Sequence, residues 1–160
     1  MGSNLGDSQK IVRAAMERLQ GFSDEPLLKS SLWDTTPVDC PPGSPRFVNA
    51  VAGLIPRPGE TPESLLAKLQ TLEKEFGRQA KKVMNEARPL DLDLIVFGGE
   101  TRDSNELILP HPRAHLRRFV LEPLNEIAGD LILVDEKMVK NLLTQLDSGE
   151  VIKRVSGHNL

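Results

Sequence analysis

Apolar residues recur along this chain with two different periods, and the period changes mark its elements. Ile11, Val12, Ala15, Met16 and Leu19 fall on one stripe, which predicts a helix from a cap at Asp7 or Ser8 to about Gln20. Leu65, Leu66, Leu69, Leu72 and Phe76 form a second stripe. Thr61 is the capping hydroxyl, Pro62 takes the first helical position, and Gly77 ends the helix. Leu116, Phe119, Val120, Leu124 and Ile127 predict a third helix over 113–128, with Pro123 expected to interrupt or bend it. A shorter helix is expected near 138–146. Strands are expected at Leu27–Thr36, carrying Leu28, Leu32 and Trp33, and at Phe47–Ile55. Short apolar runs at 107–109 and 131–134 and a tail strand near 150–155 complete the set.

One stretch breaks the apolar rule. Residues 88–97 read Arg-Pro-Leu-Asp-Leu-Asp-Leu-Ile-Val-Phe. As a strand, they put Leu90, Leu92, Leu94 and Val96 on one face and Asp91, Asp93, Ile95 and Phe97 on the other. Asp91 and Asp93 then stand roughly 6.5–7 Å apart on one side. Asp is uncommon in strands, and two like charges so close raise each other's cost. The pair reads either as a solvated acidic face or as a site for divalent metals, for which a two-metal spacing of roughly 3.5–4 Å fits the gap.

Composition narrows the classes. The chain has 160 residues, 27% charged and 39% hydrophobic, with a net charge of −3. That predicts one soluble domain over 1–160 with a substantial core. Interspersed charges disfavour a nucleic-acid binder or a membrane-surface protein, and no run reaches the ~18–20 apolar residues of a membrane span. With a single cysteine, Cys40, neither a disulfide nor a cysteine zinc site is expected; His111 and His115 do not complete a zinc set either. A cytoplasmic monomer is the expectation.

Other candidates gather around the carboxylates. Gly2-Ser3-Asn4-Leu5-Gly6-Asp7 reads as a tight turn entering a helix. Prolines 37, 41, 42 and 45 make an exposed loop, with Thr36 at its start. Asn49 shares a strand face with Phe47 and Val51. Its amide is tied to neighbouring backbone or reads a ligand's hydrogen-bonding edge beside the Phe47 ring. Glu73 near a helix end reads as a solvated acid. Residues 78–88 bring four cations just ahead of Asp91, and His111, His115, Arg117 and Arg118 cluster after it. Cations beside paired acids are the ingredients of a metal–polyphosphate site.

Gly-Ser-Asn-Leu-Gly-Asp (2–7), Thr36-Pro37, Phe47-Val48-Asn49-Ala50, Gly77-Arg78, Arg88-Pro89-Leu90-Asp91-Leu92-Asp93-Leu94, Pro110-His111-Pro112-Arg113 and Arg117-Arg118-Phe119-Val120-Leu121-Glu122-Pro123-Leu124 follow one another in this order. Together they resemble the 6-hydroxymethyl-7,8-dihydropterin pyrophosphokinases of folate biosynthesis. The resemblance implies transfer of pyrophosphate from ATP to the pterin's hydroxymethyl oxygen, with release of AMP and use of two magnesium ions. It implies that Asp91 and Asp93 bind metal, and that Arg78 and Arg88 join them as catalytic residues. Thr36, Pro37, Phe47, Asn49 and Phe119 are then the pterin pocket, and Glu73, Arg78, Arg88, His111 and Arg117 face ATP. It implies mobile catalytic loops at 37–46 and 78–88. It also implies an α+β, ferredoxin-like sandwich in β-α-β-β-α-β order, with an antiparallel sheet and helices mostly on one side. The family has a strand before Gly-Ser-Asn, and the chain starts at Met1, so a missing strand and weakened neighbours are expected. Asn85-Glu86-Ala87 stand where some members carry a loop aromatic, and position 47 offers stacking without a phenol hydroxyl. Two rival readings are another magnesium-dependent Asp-x-Asp nucleotidyl or phosphoryl transferase and an inactive truncated relative that binds pterin or nucleotide.

Overall fold

The computed structural model describes residues 1–35, 46–77, 89–147, 150 and 152–155. The elements run β1 (Gly2–Ser3), α1 (Ser8–Gln20), β2 (Leu28–Lys29), β3 (Trp33–Thr35), β4 (Phe47–Asn49), β5 (Ala52–Gly53) and α2 (Pro62–Glu75). They continue with β6 (Arg102–Asp103), β7 (Ile108–Leu109), a 3-10 turn (Ala114–Leu116), α3 (Arg118–Ala128), β8 (Ile132–Val134), β9 (Lys137–Met138), α4 (Val139–Gln145) and β10 (Ile152–Arg154).

Local chemistry explains the helix ends. The Asp7 side chain accepts the Lys10 N–H at the start of α1. At α2, Thr61 and Ser64 satisfy each other's backbone N–H groups, and the Ser64 hydroxyl also donates to Glu60. Two orphan donors are thereby met at one helix start. Gly77 follows α2 at φ +92°, a conformation that L side chains resist. Pro123, expected to interrupt or bend the third helix, lies buried inside α3 and does not interrupt it, since the helix runs on to Ala128. Its missing N–H removes one helical bond, and packing of Val120, Leu121 and Leu124 carries the helix past it.

The four-stranded sheet has the order β1-β4-β3-β10, with antiparallel neighbours throughout. The two long strands expected at 27–36 and 47–55 are each split. β2 pairs with β5, β3 pairs with β4, and Ser30–Leu32 and Ala50–Val51 separate them. Ser30 bridges the break, its N–H donating to the Val51 carbonyl at 3.0 Å and its hydroxyl accepting the Val51 N–H at 2.8 Å. Residues 88–97 also differ from expectation. Among the described ones, only Asp91 bridges to a strand, exchanging both backbone bonds with Gly2 at 2.9 and 2.8 Å. The alternation holds for Leu90, Leu92 and Leu94, which share one apolar cluster, and for Ile95 in the other, and lapses only at Val96 and Phe97, each of which joins the cluster expected of its neighbour.

Those two clusters lie on opposite faces of the sheet. Val12, Ala15, Met16 and Leu19 of α1 and Leu65, Leu69 and Leu72 of α2 meet Val48, Leu90 and Leu92. Residues of α3 and α4 meet Val51, Ile95 and Val96. Helices therefore cover both faces rather than mostly one. Among the described residues, no helix is long and apolar enough to cross a membrane.

Candidate active site

Sheet register builds one wall of the site. Gly2 pairs with Asn49, Asn49 with Trp33, and Phe47 with Thr35. Opposed residues share a face, so Thr35, Phe47 and Asn49 point together, and Asp91, opposite Gly2, joins them. Asn49 is buried, and its Nδ2 donates to Thr35 Oγ1 at 2.7 Å. Its Oδ1 passes over Gly2, only 2.4 Å from where a β-carbon at that position would stand. Glycine there is a steric requirement of the Asn49 pose.

Asp91 is half-buried and Asp93 exposed, two residues further along the same backbone. Their positions are fixed from behind by Glu73, which is buried (9% exposed), not solvated. Its Oε2 accepts the Leu92 N–H at 2.8 Å. The Met1 nitrogen donates to the Ala50 carbonyl at 2.8 Å. Burial pushes this amine's pKa down, against the raising fields of Asp93, Asp91 and Glu73.

Of the His/Arg cluster, Arg117 lines the site's cavity together with Arg113, while His111, His115 and Arg118 are not among its lining residues. The peptide bond Leu109–Pro110 is cis, and His111 follows with its N–H on the Ile95 carbonyl at 2.8 Å. Burial lowers the His111 pKa; Asp93 and Asp91 raise it, while Arg117 and Arg113 lower it. Its Nδ1 accepts the Arg113 N–H at 3.2 Å, so the neutral ring carries its proton on Nε2. The Arg117 guanidinium lies 5.3 Å over the Phe119 ring. The Phe119 N–H donates to Glu150 at 3.2 Å.

The cavity has a volume of about 700 Å³ and is lined by Thr35, Phe47, Asn49, Asp91, Asp93, Arg117 and Phe119, among others. Thr36, Pro37, Arg78 and Arg88 lie outside the described residues, as do residues 37–45 of the first candidate loop and all of the second, 78–88. Thr35 was missed in the sequence. Its signal was the alternation from Trp33, which places 35 and not 36 on the Asn49 face.

Among the described residues, no group of three or more His, Cys, Asp and Glu side chains forms a ready-made metal cage. Two carboxylates suit magnesium nonetheless, because that ion takes one or two protein carboxylates and completes its shell with water and substrate phosphates.

Residues 1–129 match the family model described as 7,8-dihydro-6-hydroxymethylpterin-pyrophosphokinase. A relative from Haemophilus influenzae, named 2-amino-4-hydroxy-6-hydroxymethyldihydropteridine pyrophosphokinase, is 35% identical over 154 residues, covering 96% of this chain and 94% of its own. A Pseudomonas aeruginosa protein of the same name is 35% identical over 158 residues, 98% of this chain and 94% of that one. The folic acid synthesis protein fol1 of Pneumocystis carinii is 39% identical over 132 residues, which are 82% of this chain but 17% of that longer protein. With the family model spanning most of its length, the chain belongs to the 7,8-dihydro-6-hydroxymethylpterin-pyrophosphokinase family.

Proposed function

We propose that this protein transfers the terminal pyrophosphate of ATP to the hydroxymethyl oxygen of 6-hydroxymethyl-7,8-dihydropterin, releasing AMP, as a step of folate biosynthesis. The observation that carries the reading is one cavity in which an Asn–Thr hydrogen-bonding edge, two aromatic rings and a paired carboxylate face each other. The rival readings are not favoured, because relatives matched over nearly their whole lengths are named as pyrophosphokinases.

In this reading the substrate oxygen attacks the β-phosphorus, the bond from that phosphorus to the α-phosphate oxygen breaks, and AMP leaves. Such a displacement depends on positioning and charge neutralisation more than on a covalent nucleophile. Asn49, fixed by Thr35 and Gly2, reads the amide edge of the pterin. Phe47 and Phe119 stack on its faces, and Thr36 and Pro37 are further pterin-binding residues. Asp91 and Asp93 would hold two magnesium ions, which would supply Lewis-acid neutralisation of phosphate charge. Arg117 and the Nε2–H of His111 meet phosphate oxygens, and Arg78 and Arg88 are the further catalytic cations. Glu73 lies on the nucleotide side and also holds the Leu92 backbone between the two aspartates.

The fold is read as a ferredoxin-like sandwich in which one central strand is represented only by Gly2–Ser3. Supporting it is the order of pairing, with Asp91 beside β1, β1 beside β4 and β4 beside β3, all antiparallel. One pyrophosphokinase domain over 1–160, acting as a cytoplasmic monomer without nucleic-acid or membrane partners, completes the proposal. The test is product analysis with ATP and magnesium. AMP formed only when 6-hydroxymethyl-7,8-dihydropterin is present supports the reading; ADP formation, or AMP release indifferent to the pterin, contradicts it.

A further inference from the structure

Among the described residues, the cavity holds a third carboxylate besides Asp91 and Asp93, that of Glu150. It lies beyond residue 129, where the match to the family model ends. Neither the metal pair nor the pterin edge described above makes use of it.

Its partner is the start of α3. Arg117 takes the cap position there but makes no side-chain bond to the helix, and the first turn carries no acid. The Val120 and Leu121 N–H groups turn back to the Arg117 carbonyl at 3.1 and 3.0 Å. The Phe119 N–H instead donates to Glu150 Oε2 at 3.2 Å. A carboxylate from another part of the chain thus meets one orphan donor and stands at the positive end of the helix.

The far end of α3 is tied to the strand that follows Glu150. β10 pairs with β3, setting Ile152 opposite Thr35 and Arg154 opposite Trp33. Trp33 in turn stands opposite Asn49, so Arg154, Trp33 and Asn49 share one face of the sheet. Glu126 of α3 comes down on this row. Its Oε1 accepts the Trp33 indole N–H at 2.5 Å, and its Oε2 accepts the Ser31 hydroxyl at 2.8 Å and meets Arg154 at 3.5 Å. The Arg154 guanidinium also lies 5.2 Å over the Trp33 ring. The helix that carries Phe119 is therefore held at its first turn by Glu150 and at its last by the Glu126 cluster.

We propose that Glu150 is a positioning residue for the pterin: by capping α3 from outside the helix, it sets the distance of the Phe119 ring from the Phe47 ring and the Asn49 edge. The pterin consequence rests on the transferase reading, whereas the cap itself does not. Small displacements matter at a stacked face, because a gap of about 0.5–1 Å forfeits a quarter to a half of the dispersion attraction. ATP depends less on the start of α3, since in the same reading the metals, His111, Arg78 and Arg88 hold it besides Arg117.

Two variants of the full chain test this. Glu150→Ala removes the acceptor, and Glu150→Gln keeps an oxygen in its place. Native-state hydrogen exchange at the Phe119 amide should be at least about tenfold faster in Glu150→Ala and within about threefold of wild type in Glu150→Gln. In steady-state AMP release, Glu150→Ala should raise KM for 6-hydroxymethyl-7,8-dihydropterin about tenfold, the scale of one lost hydrogen bond to a charged group, and KM for ATP less than about threefold. Glu150→Gln should keep the pterin KM within about threefold of wild type. A Phe119 amide indifferent to Glu150→Ala overturns the cap. Equal rises in both KM values, an unchanged pterin KM beside a freed amide, or a Gln variant as impaired as the Ala variant overturns the positioning role. A wild-type chain that releases no AMP in response to the pterin contradicts the transferase reading, and the Phe119 amide then decides the cap alone.

Discussion

Helix α2 and residues 91–97 meet through the Glu73–Leu92 hydrogen bond and shared apolar packing, and are held in opposite ways. The start of α2 is closed by reciprocal Thr61 and Ser64 bonds, with Glu60 receiving both Ser64 and Lys68. Its inner face buries Leu65, Leu69 and Leu72. Residues 91–97 have the Gly2 pair, the Glu73 carboxylate and His111 on Ile95, and no ladder beyond Asp91 among the described residues. The acids proposed to hold metal thus stand on backbone tied at a few points, against a helix tied everywhere. The difference locates rigidity in the scaffold and adjustability beside the chemistry, as regions of low local stability often supply moving parts.

The largest effect expected on this contrast is catalytic. Asp91→Ala or Asp93→Ala should lower pterin-dependent AMP release by about 10²–10³-fold, the scale seen when a group stabilising developing charge is lost, with little change in thermal midpoint. Wild-type rates in either variant sink the metal assignment. Leu90→Ala comes next. This residue is fully buried, and its truncation should cost about 2–5 kcal/mol in denaturant unfolding. A change near zero denies that Leu90 anchors the stretch. Glu73→Ala leaves the buried Leu92 N–H without its acceptor, a penalty of about 1–3 kcal/mol. It should lower turnover as well, whereas Thr61→Ala at the far end of α2 should cost only about 1 kcal/mol and spare turnover. Equal effects of the two on activity erase the distinction.

The smallest effect is electrostatic. Burial holds the His111 pKa below the ordinary value near 6.5, and Asp93 and Asp91 oppose that lowering. Asp93→Asn should therefore move its NMR titration midpoint further down, and Arg117→Gln should move it up. The folded state resists protonation of this ring, so its contribution to stability is present above about pH 6.5 and falls away as pH drops through the lowered midpoint. An ordinary midpoint insensitive to both variants contradicts this account of the site.

Much of the scaffold is legible in the sequence because local rules set it. Asp7 and Thr61 cap the helices where capping chemistry predicts, and the α1 and α2 stripes are the buried ones. Long-range facts are not legible. Glu73 looks like a surface acid at a helix end until a backbone N–H nineteen residues away meets it. The breaks at Ser30–Leu32 and Ala50–Val51 follow from a Ser30 side chain bonding across strands, which alternation does not encode. Strand β9 was overlooked because its hairpin turns on Asp135 and Glu136, both at positive φ, rather than on the Asn-Gly pair that usually marks such a turn. At the site, Asn49, Phe47, Phe119, Arg117, Asp91 and Asp93 do meet in one cavity. Thr35 and Gly2 emerged only from register, which depends on how strands align and not on either strand alone.

The central claim, that the paired aspartates stand on loosely tied backbone beside a firmly tied helix, is tested most directly by native-state hydrogen exchange. Amides of Asp93, Leu94 and Val96 should exchange at least about 10²-fold faster than those of Leu69 and Leu72, with Leu92 slowed by Glu73 and released in Glu73→Ala. Equal protection of the two regions, or a Leu92 amide indifferent to Glu73, contradicts the account.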